Sequence, residues 1–163
     1  MDCRIRLLDA SLLRDYKKIR LEALERAPTA FSGSLREEGA QGDHFHAMRL
    51  QVGPVYGAYI DDAICGMLGV VLFREEKMSF KAAIWGVYVS PEQRGKGIAR
   101  RLMTHALKEL PPYIKRVTLG VEENNKAAKK LYEAFGFAEY GYDRHAFLHD
   151  GRYHNEHMMV KFL

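Results

Sequence analysis

Four cations and two glycines fall within eight residues, Arg94-Gly95-Lys96-Gly97-Ile98-Ala99-Arg100-Arg101. Glycines let a backbone come close to a ligand, and the free amides that open a following helix carry the positive end of its dipole. A phosphate or pyrophosphate suits such a turn. Two familiar phosphate loops do not fit it. A P-loop needs four residues before its Gly-Lys-Ser/Thr, and here Lys96 is followed by Gly97 with no hydroxyl for magnesium. The dinucleotide pattern G-x-G-x-x-G meets Arg100 where its last glycine should stand.

A second chemical group lies further on, in Val121 to Phe137, VEENNKAAKKLYEAFGF. Tyr132 is a phenol, a hydrogen-bond donor at neutral pH. Read alone, a tyrosine on an apolar helical stripe is more simply a core aromatic with a satisfied hydroxyl, and the glycine turn a soft connection with solvated arginines. Composition and spacing alone leave both readings of each open.

The elements that must position these groups follow from periodicity. Lys81 to Val89 is apolar on both faces, as in a strand inside a sheet, and Ser90-Pro91-Glu92 ends it. Ile98, Leu102, Ala106 and Leu110 then recur at helical spacing. Asn124 or Asn125 caps a second helix with the stripe Ala127, Ala128, Leu131, Tyr132, Phe135, and Gly136 closes it.

The first stretch resembles the acyl-CoA-binding motif of the GNAT superfamily of N-acyltransferases, Q/R-x-x-G-x-G/A, matched by Arg94, Gly97 and Ala99 after a V-x-V-x-P strand end. The spacing N-x-x-A-x-x-L-Y-x-x-x-G-F looks like the family's second signature, matched by Asn125, Ala128, Leu131, Tyr132, Gly136 and Phe137. The resemblance implies a cofactor site for acetyl-CoA. In it the amides of Arg94, Gly95, Lys96, Gly97, Ile98 and Ala99 hold the pyrophosphate, and Val87, Tyr88 and Val89 bind the pantetheine arm and acyl carbonyl. Asn125 touches the cofactor, and Tyr132 both touches it and protonates the departing thiolate. It further implies an α/β (α+β) GNAT fold, a mixed central sheet of about six to seven strands flanked by about four helices, in one domain spanning 1–163.

The rest of the chain fits that outline. Arg4 to Leu8 reads as a strand, and a helix follows from about Leu12 to Arg26, ended by Pro28. The segment Thr29 to Gly42 pairs Phe31 with small residues and then acids. In similar proteins this region lies beside the acceptor site, so Phe31 and one of Glu37 or Glu38 are expected to face the acceptor; a solvated helix turn would read the same way. His44 to Gln51 is a short helix, and Val55 to Ile60 with Ala63 to Phe73 forms a hairpin turned at Asp61-Asp62. Lys115 to Val121 is the next strand, and Ala138 to Leu163 a second hairpin about Asp150-Gly151.

At 163 residues, 47% hydrophobic and 28% charged, the chain has the length and make-up of one soluble globular unit. A net charge of +4 accommodates an anionic ligand without the dense basic stripe of a nucleic-acid binder. Two cysteines, Cys3 and Cys65, make no disulfide framework, and no secretory or membrane-length apolar run is present, which points to the cytoplasm. The tail histidines His145, His149, His154 and His157 match no zinc spacing, so no metal is expected.

The expected reaction is N-acetyl transfer from acetyl-CoA to a primary amine of a small molecule or peptide, by direct attack in a ternary complex. Homodimers are common among similar proteins. The positions where relatives place a glutamate as general base fall near Ala83 and at Gly120, neither acidic, and Glu122 better supports the turn into the next helix. The base is therefore unassigned. A non-catalytic acyl-CoA-binding or partner-binding domain, and a nucleotide-binding protein, are the competing readings.

Overall fold

The computed structural model describes residues 2–163. One seven-stranded sheet runs through it in the order β1-β2-β3-β4-β5-β7-β6. Strands β1 (Cys3–Leu7), β2 (Val55–Ile60), β3 (Ala63–Leu72) and β4 (Lys81–Val89) pair antiparallel in sequence order. β5 (Arg116–Glu122) joins β4 in parallel, and the hairpin β6 (Ala138–His149) and β7 (Arg152–Phe162) returns so that β7 pairs with β5. Five helices cover it: α1 (Leu13–Arg26), α2 (Leu35–Gly39), α3 (Asp43–Arg49), α4 (Ile98–Lys108) and α5 (Lys126–Ala134). This is the mixed sheet expected, and the extra helix is the short α2 within the segment Thr29 to Gly42.

Each face of the sheet has its own core. Leu102, Met103 and Ala106 of α4 pack with Ala82, Ile84, Val117, Leu119 and Tyr132 on one side. On the other, Tyr16, Ile19 and Ala23 of α1 meet Val55, Tyr59, Met67 and Tyr88. Alternation along the strands assigns each residue to its side. Val117, Leu119 and Val121 belong to the α4 side, so Gly120 and Glu122 face the α1 side.

Two local features open the sheet. β4 and β5 pair only at Lys81–Arg116, Ala82–Val117 and Ala83–Thr118, after which they part. Along β4, Tyr88 pairs with Met67 of β3 and Trp85 with Gly69, so Gly86 and Val87 together face the one residue between, Leu68. That bulge needs Gly86 at φ +63°, a left-handed value that glycine adopts without strain.

Observed boundaries lie within about a turn of those read from the sequence. A 3-10 turn, Ala10–Leu12, precedes α1, its start capped by the Asp9 carboxylate accepting from Ser11 N. The tail hairpin is long and irregular, with an insertion between Asp143 and Phe147. It scatters its histidines: His145 stacks on Tyr153, His154 on Phe147, and His157 lies against Tyr142. Among the described residues no metal-ligating cluster forms, and no helix is long and apolar enough to cross a membrane.

Candidate active site

The parting of β4 from β5 is the site. Because Ser90 N donates to Cys65 O at 2.8 Å, ladder alternation puts Val89 in the open pair with Gly66. Its N–H therefore faces away from β3, into the gap. Its carbonyl accepts from Arg94 Nε at 3.0 Å, which fixes the turn against the strand end.

Beyond that turn, Gly95 and Gly97 take φ of +75° and +76°, and α4 starts at Gly97 with no side-chain cap. The amides of its first turn are left without intrahelical partners. They open onto a cavity of about 610 Å³ between α4 and α5. Its walls include Val87, Tyr88, Val89, Arg94, Gly95, Gly97, Ile98 and Ala99, with Asn125 and Tyr132 opposite. Lys96, expected on this wall, is not on it. Its ammonium turns back to Gln93 Oε1 at 2.7 Å.

On the α5 side, Asn125 caps the helix, its Oδ1 accepting from Ala128 N at 3.3 Å. Glu122 accepts from both the backbone N and Nδ2 of Asn124, at 2.9 and 3.1 Å, and so braces the turn into α5. Tyr132 is 5% exposed, and burial pushes its phenol above the ordinary value. It stays protonated, as a donor must. The Tyr88 ring turns the other way: its hydroxyl donates to Glu22 Oε1 at 3.1 Å, and burial followed by the Glu22 charge pushes that phenol up to about 12.

A second cavity of about 430 Å³ opens on the α1 side of the gap, walled by Arg20, Phe31, Glu38, Arg49, Trp85 and Glu156 among others. A narrow space of about 50 Å³ links the two. It shares Val87, Glu122, Asn125 and Tyr132 with the first, and Ile84, Trp85, Gly86 and Gly120 with the second. Phe31 borders all three spaces. Glu38 does reach the second cavity, but both its oxygens are taken by Arg20 Nε and Nη2, at 2.9 and 2.8 Å. Burial opposes its charge, yet the Arg20 hydrogen bonds and charge outweigh that and hold the carboxyl below its usual value. Glu37 is exposed.

The residues that sequence reasoning passed over are Arg20, Arg49, Trp85 and Glu156. For Glu156 a signal did exist in Gly120, a residue without a side chain where an acid was looked for. A Cβ added to Gly120 would stand 2.8 Å from Glu156 Oε2.

The Acetyltransferase (GNAT) family model matches residues 18–137, more than half of the chain. A curated relative, spermidine N(1)-acetyltransferase of Vibrio cholerae, is 32% identical over 96 residues, 58% of this chain and 56% of that protein. The match thus spans only about half the length of that relative. Among solved structures, an acetyltransferase of the GNAT family from Streptococcus pneumoniae superposes with a TM-score of 0.84 at 16% identity, covering 99% of this chain and 100% of that one. A GNAT superfamily phosphinothricin acetyltransferase from Sinorhizobium meliloti, in complex with acetyl-CoA, gives 0.83 at 21% identity over 100% and 89%. At those identities the two structures speak to the fold alone.

Proposed function

Since this chain belongs to the acetyltransferase (GNAT) family, we propose that it moves an acetyl group from acetyl-CoA to a primary amine of a small molecule or peptide, by direct attack in a ternary complex. The observation that carries this reading is the narrow space between β4 and β5 that joins two cavities of unlike character and is bordered by Tyr132. One cavity suits a cofactor and the other an acceptor, and they meet at a phenol. The relative named for spermidine acetylation and the neighbour in complex with acetyl-CoA support the choice of co-substrates.

In this reading the pyrophosphate lies on the free amides after Gly95, and the thioester arm runs along Val87 to Val89 toward the gap. The Val89 N–H donates to the carbonyl oxygen as negative charge grows there, the kind of fixed donor that contributes most in acyl transfer. The amine nitrogen adds to the carbonyl carbon, the C–S bond breaks, the Tyr132 O–H gives sulfur its proton, and the proton that the nitrogen sheds as the amide forms returns to the phenol through water. No step needs a metal. We read the chain as one domain acting in the cytoplasm, where thiols such as Cys3 and Cys65, both free and buried, stay reduced.

The test is purified protein with acetyl-CoA and an amine panel, following free thiol. Saturable acetyl-CoA binding together with amine-dependent thiol release is expected. Binding without release across the panel would instead make the chain an acyl-CoA-binding module. ATP competing as well as CoA would make it a nucleotide binder.

A further inference from the structure

The second cavity carries charges of both signs. Glu38 is committed to Arg20 through both oxygens, and its charge is balanced there. Glu156 is different. It is partly buried on β7, lines the cavity, and makes no hydrogen bond or ion pair with any described residue. Gly120 is what gives it room: an added Cβ there would stand 2.8 Å from Oε2. Gly120 also borders the narrow space with Tyr132, so a nitrogen held by Glu156 stands at the acceptor side of the gap.

Guanidinium donors are also present and unspent. Arg20 gives Nε and Nη2 to Glu38 and keeps Nη1, which lies 3.8 Å from where a Cβ on Gly86 would be. Arg49 has no carboxylate partner among the described residues; its guanidinium rests over the Phe45 ring at 5.2 Å. The rings of Phe31 and Trp85 cover Arg20 at 5.4 and 5.5 Å and give the cavity apolar walls.

We propose that this cavity takes the acceptor, and that the acceptor is a small primary amine bearing its own carboxylate or phosphonate, its nitrogen at Glu156 and its anion at Arg49 and Arg20 Nη1. The inference rests on the acetyltransferase reading and deepens it. A linear polyamine would bring further positive charges toward Arg49, whose guanidinium has no carboxylate partner among the described residues, which like-charge repulsion disfavours. An acid group there forms charge-assisted pairs with planar forks, the geometry guanidinium serves best. A volume of about 430 Å³ leaves room for such a molecule.

Glu156 also supplies the missing base. Burial first, then Asp143 across on β6 and Glu122 on β5, raise its carboxyl above the usual value. Across the cavity Arg20, Arg49 and Glu38 are the other charged groups that face it. A carboxylate that holds a proton more tightly is a better acceptor at neutral pH. Glu156 takes one proton from the ammonium and passes it to water. The freed lone pair adds to the carbonyl carbon as the C–S bond breaks, and Tyr132 protonates sulfur. The second nitrogen proton leaves as the amide forms and restores the phenol through water. Amine in its ammonium form and thioester thus give amide, thiol and one proton.

The test measures thiol release with saturating acetyl-CoA from L-α-amino acids, β-alanine, 4-aminobutyrate and 2-aminoethylphosphonate, each beside the amine lacking its acid group, and from spermidine. At least one acid-bearing amine should exceed its counterpart by about tenfold or more in kcat/KM, and Arg49→Met should remove most of that preference. Glu156→Gln should lower kcat by about a hundredfold and abolish the acidic limb of the pH profile. Glu156→Asp should restore part of the rate and the limb. Acetyl-CoA affinity, the check that each variant is folded, should stay within about twofold of the parent. Better turnover of spermidine or the acid-free amines, or an acidic limb that persists in Glu156→Gln, overturns this inference and leaves the transferase reading standing. Release from no amine sinks both.

Discussion

Arg20 and Glu38 form a two-bonded ion pair, 2.9 and 2.8 Å long, between α1 and α2, with side chains 8% and 7% exposed. It ties the short segment that carries Phe31 to the long helix on the same face. A buried pair of this kind adds little over an apolar one, but breaking it strands a charge. Glu38→Ala should therefore cost about 3 to 5 kcal/mol of stability by leaving Arg20 alone. Chemical denaturation would check this, and a change below about 1 kcal/mol would show the pair to be dispensable.

The same pair sets a pH dependence. Glu38 has a folded pKa below its ordinary value, so its contribution is full above the ordinary carboxyl range and is lost as pH falls through the folded value. His46 is buried, its Nε2 against Glu38 O at 3.1 Å, and burial, then Lys17, lower its pKa. Its contribution has the same sign at higher pH: present above the ordinary imidazole value and lost below it, as the unfolded chain takes up the proton. Unfolding midpoints should fall in two stages on acidification, and His46→Phe should remove the upper one.

Gly97 sits at φ +76° at the start of α4, and an added Cβ would touch nothing within 4 Å. For Gly97→Ala the folded chain bears only the left-handed backbone cost, about 1 to 2 kcal/mol. A diphosphate on the free amides would meet the methyl directly. Acetyl-CoA affinity should fall by about tenfold or more, measured by calorimetry beside thermal melts. Unchanged affinity would remove the turn from the cofactor site.

Tyr132→Phe keeps the ring and its packing against Phe137, at 6.3 Å between centroids, and deletes only the hydroxyl. Stability should change by less than about 1 kcal/mol, while kcat falls by about a hundredfold and acetyl-CoA affinity holds. Steady-state thiol release would show it. An unchanged kcat would take the phenol out of the acid role.

What the sequence disclosed was what neighbouring residues decide together. The strand Lys81–Val89, the glycine turn and the capped helix Lys126–Ala134 are each written in contiguous residues, through periodicity, Pro91 and Asn125. The wall of the acceptor side is not local. Glu156 reaches Gly120 only because β7 pairs with β5 in one register, Gly120 opposite Met158 and Glu122 opposite Glu156. No pattern along the tail states that register. Glu38 was legible as an acid near the site, but its partner Arg20 lies 18 residues earlier on another helix, so its commitment to a bond inside the protein was hidden. The Lys96 side chain shows the same on a smaller scale, its flexible ammonium turning to Gln93 nearby.

The sheet is joined across its middle by three residue pairs, Lys81–Arg116 to Ala83–Thr118. Past them, rungs are missing from the ladder on both banks. An extended guest with amide groups of its own can supply those rungs, binding as a borrowed strand. The protein by itself is then an unfinished sheet, and its most tightly knit form is one it reaches only in company.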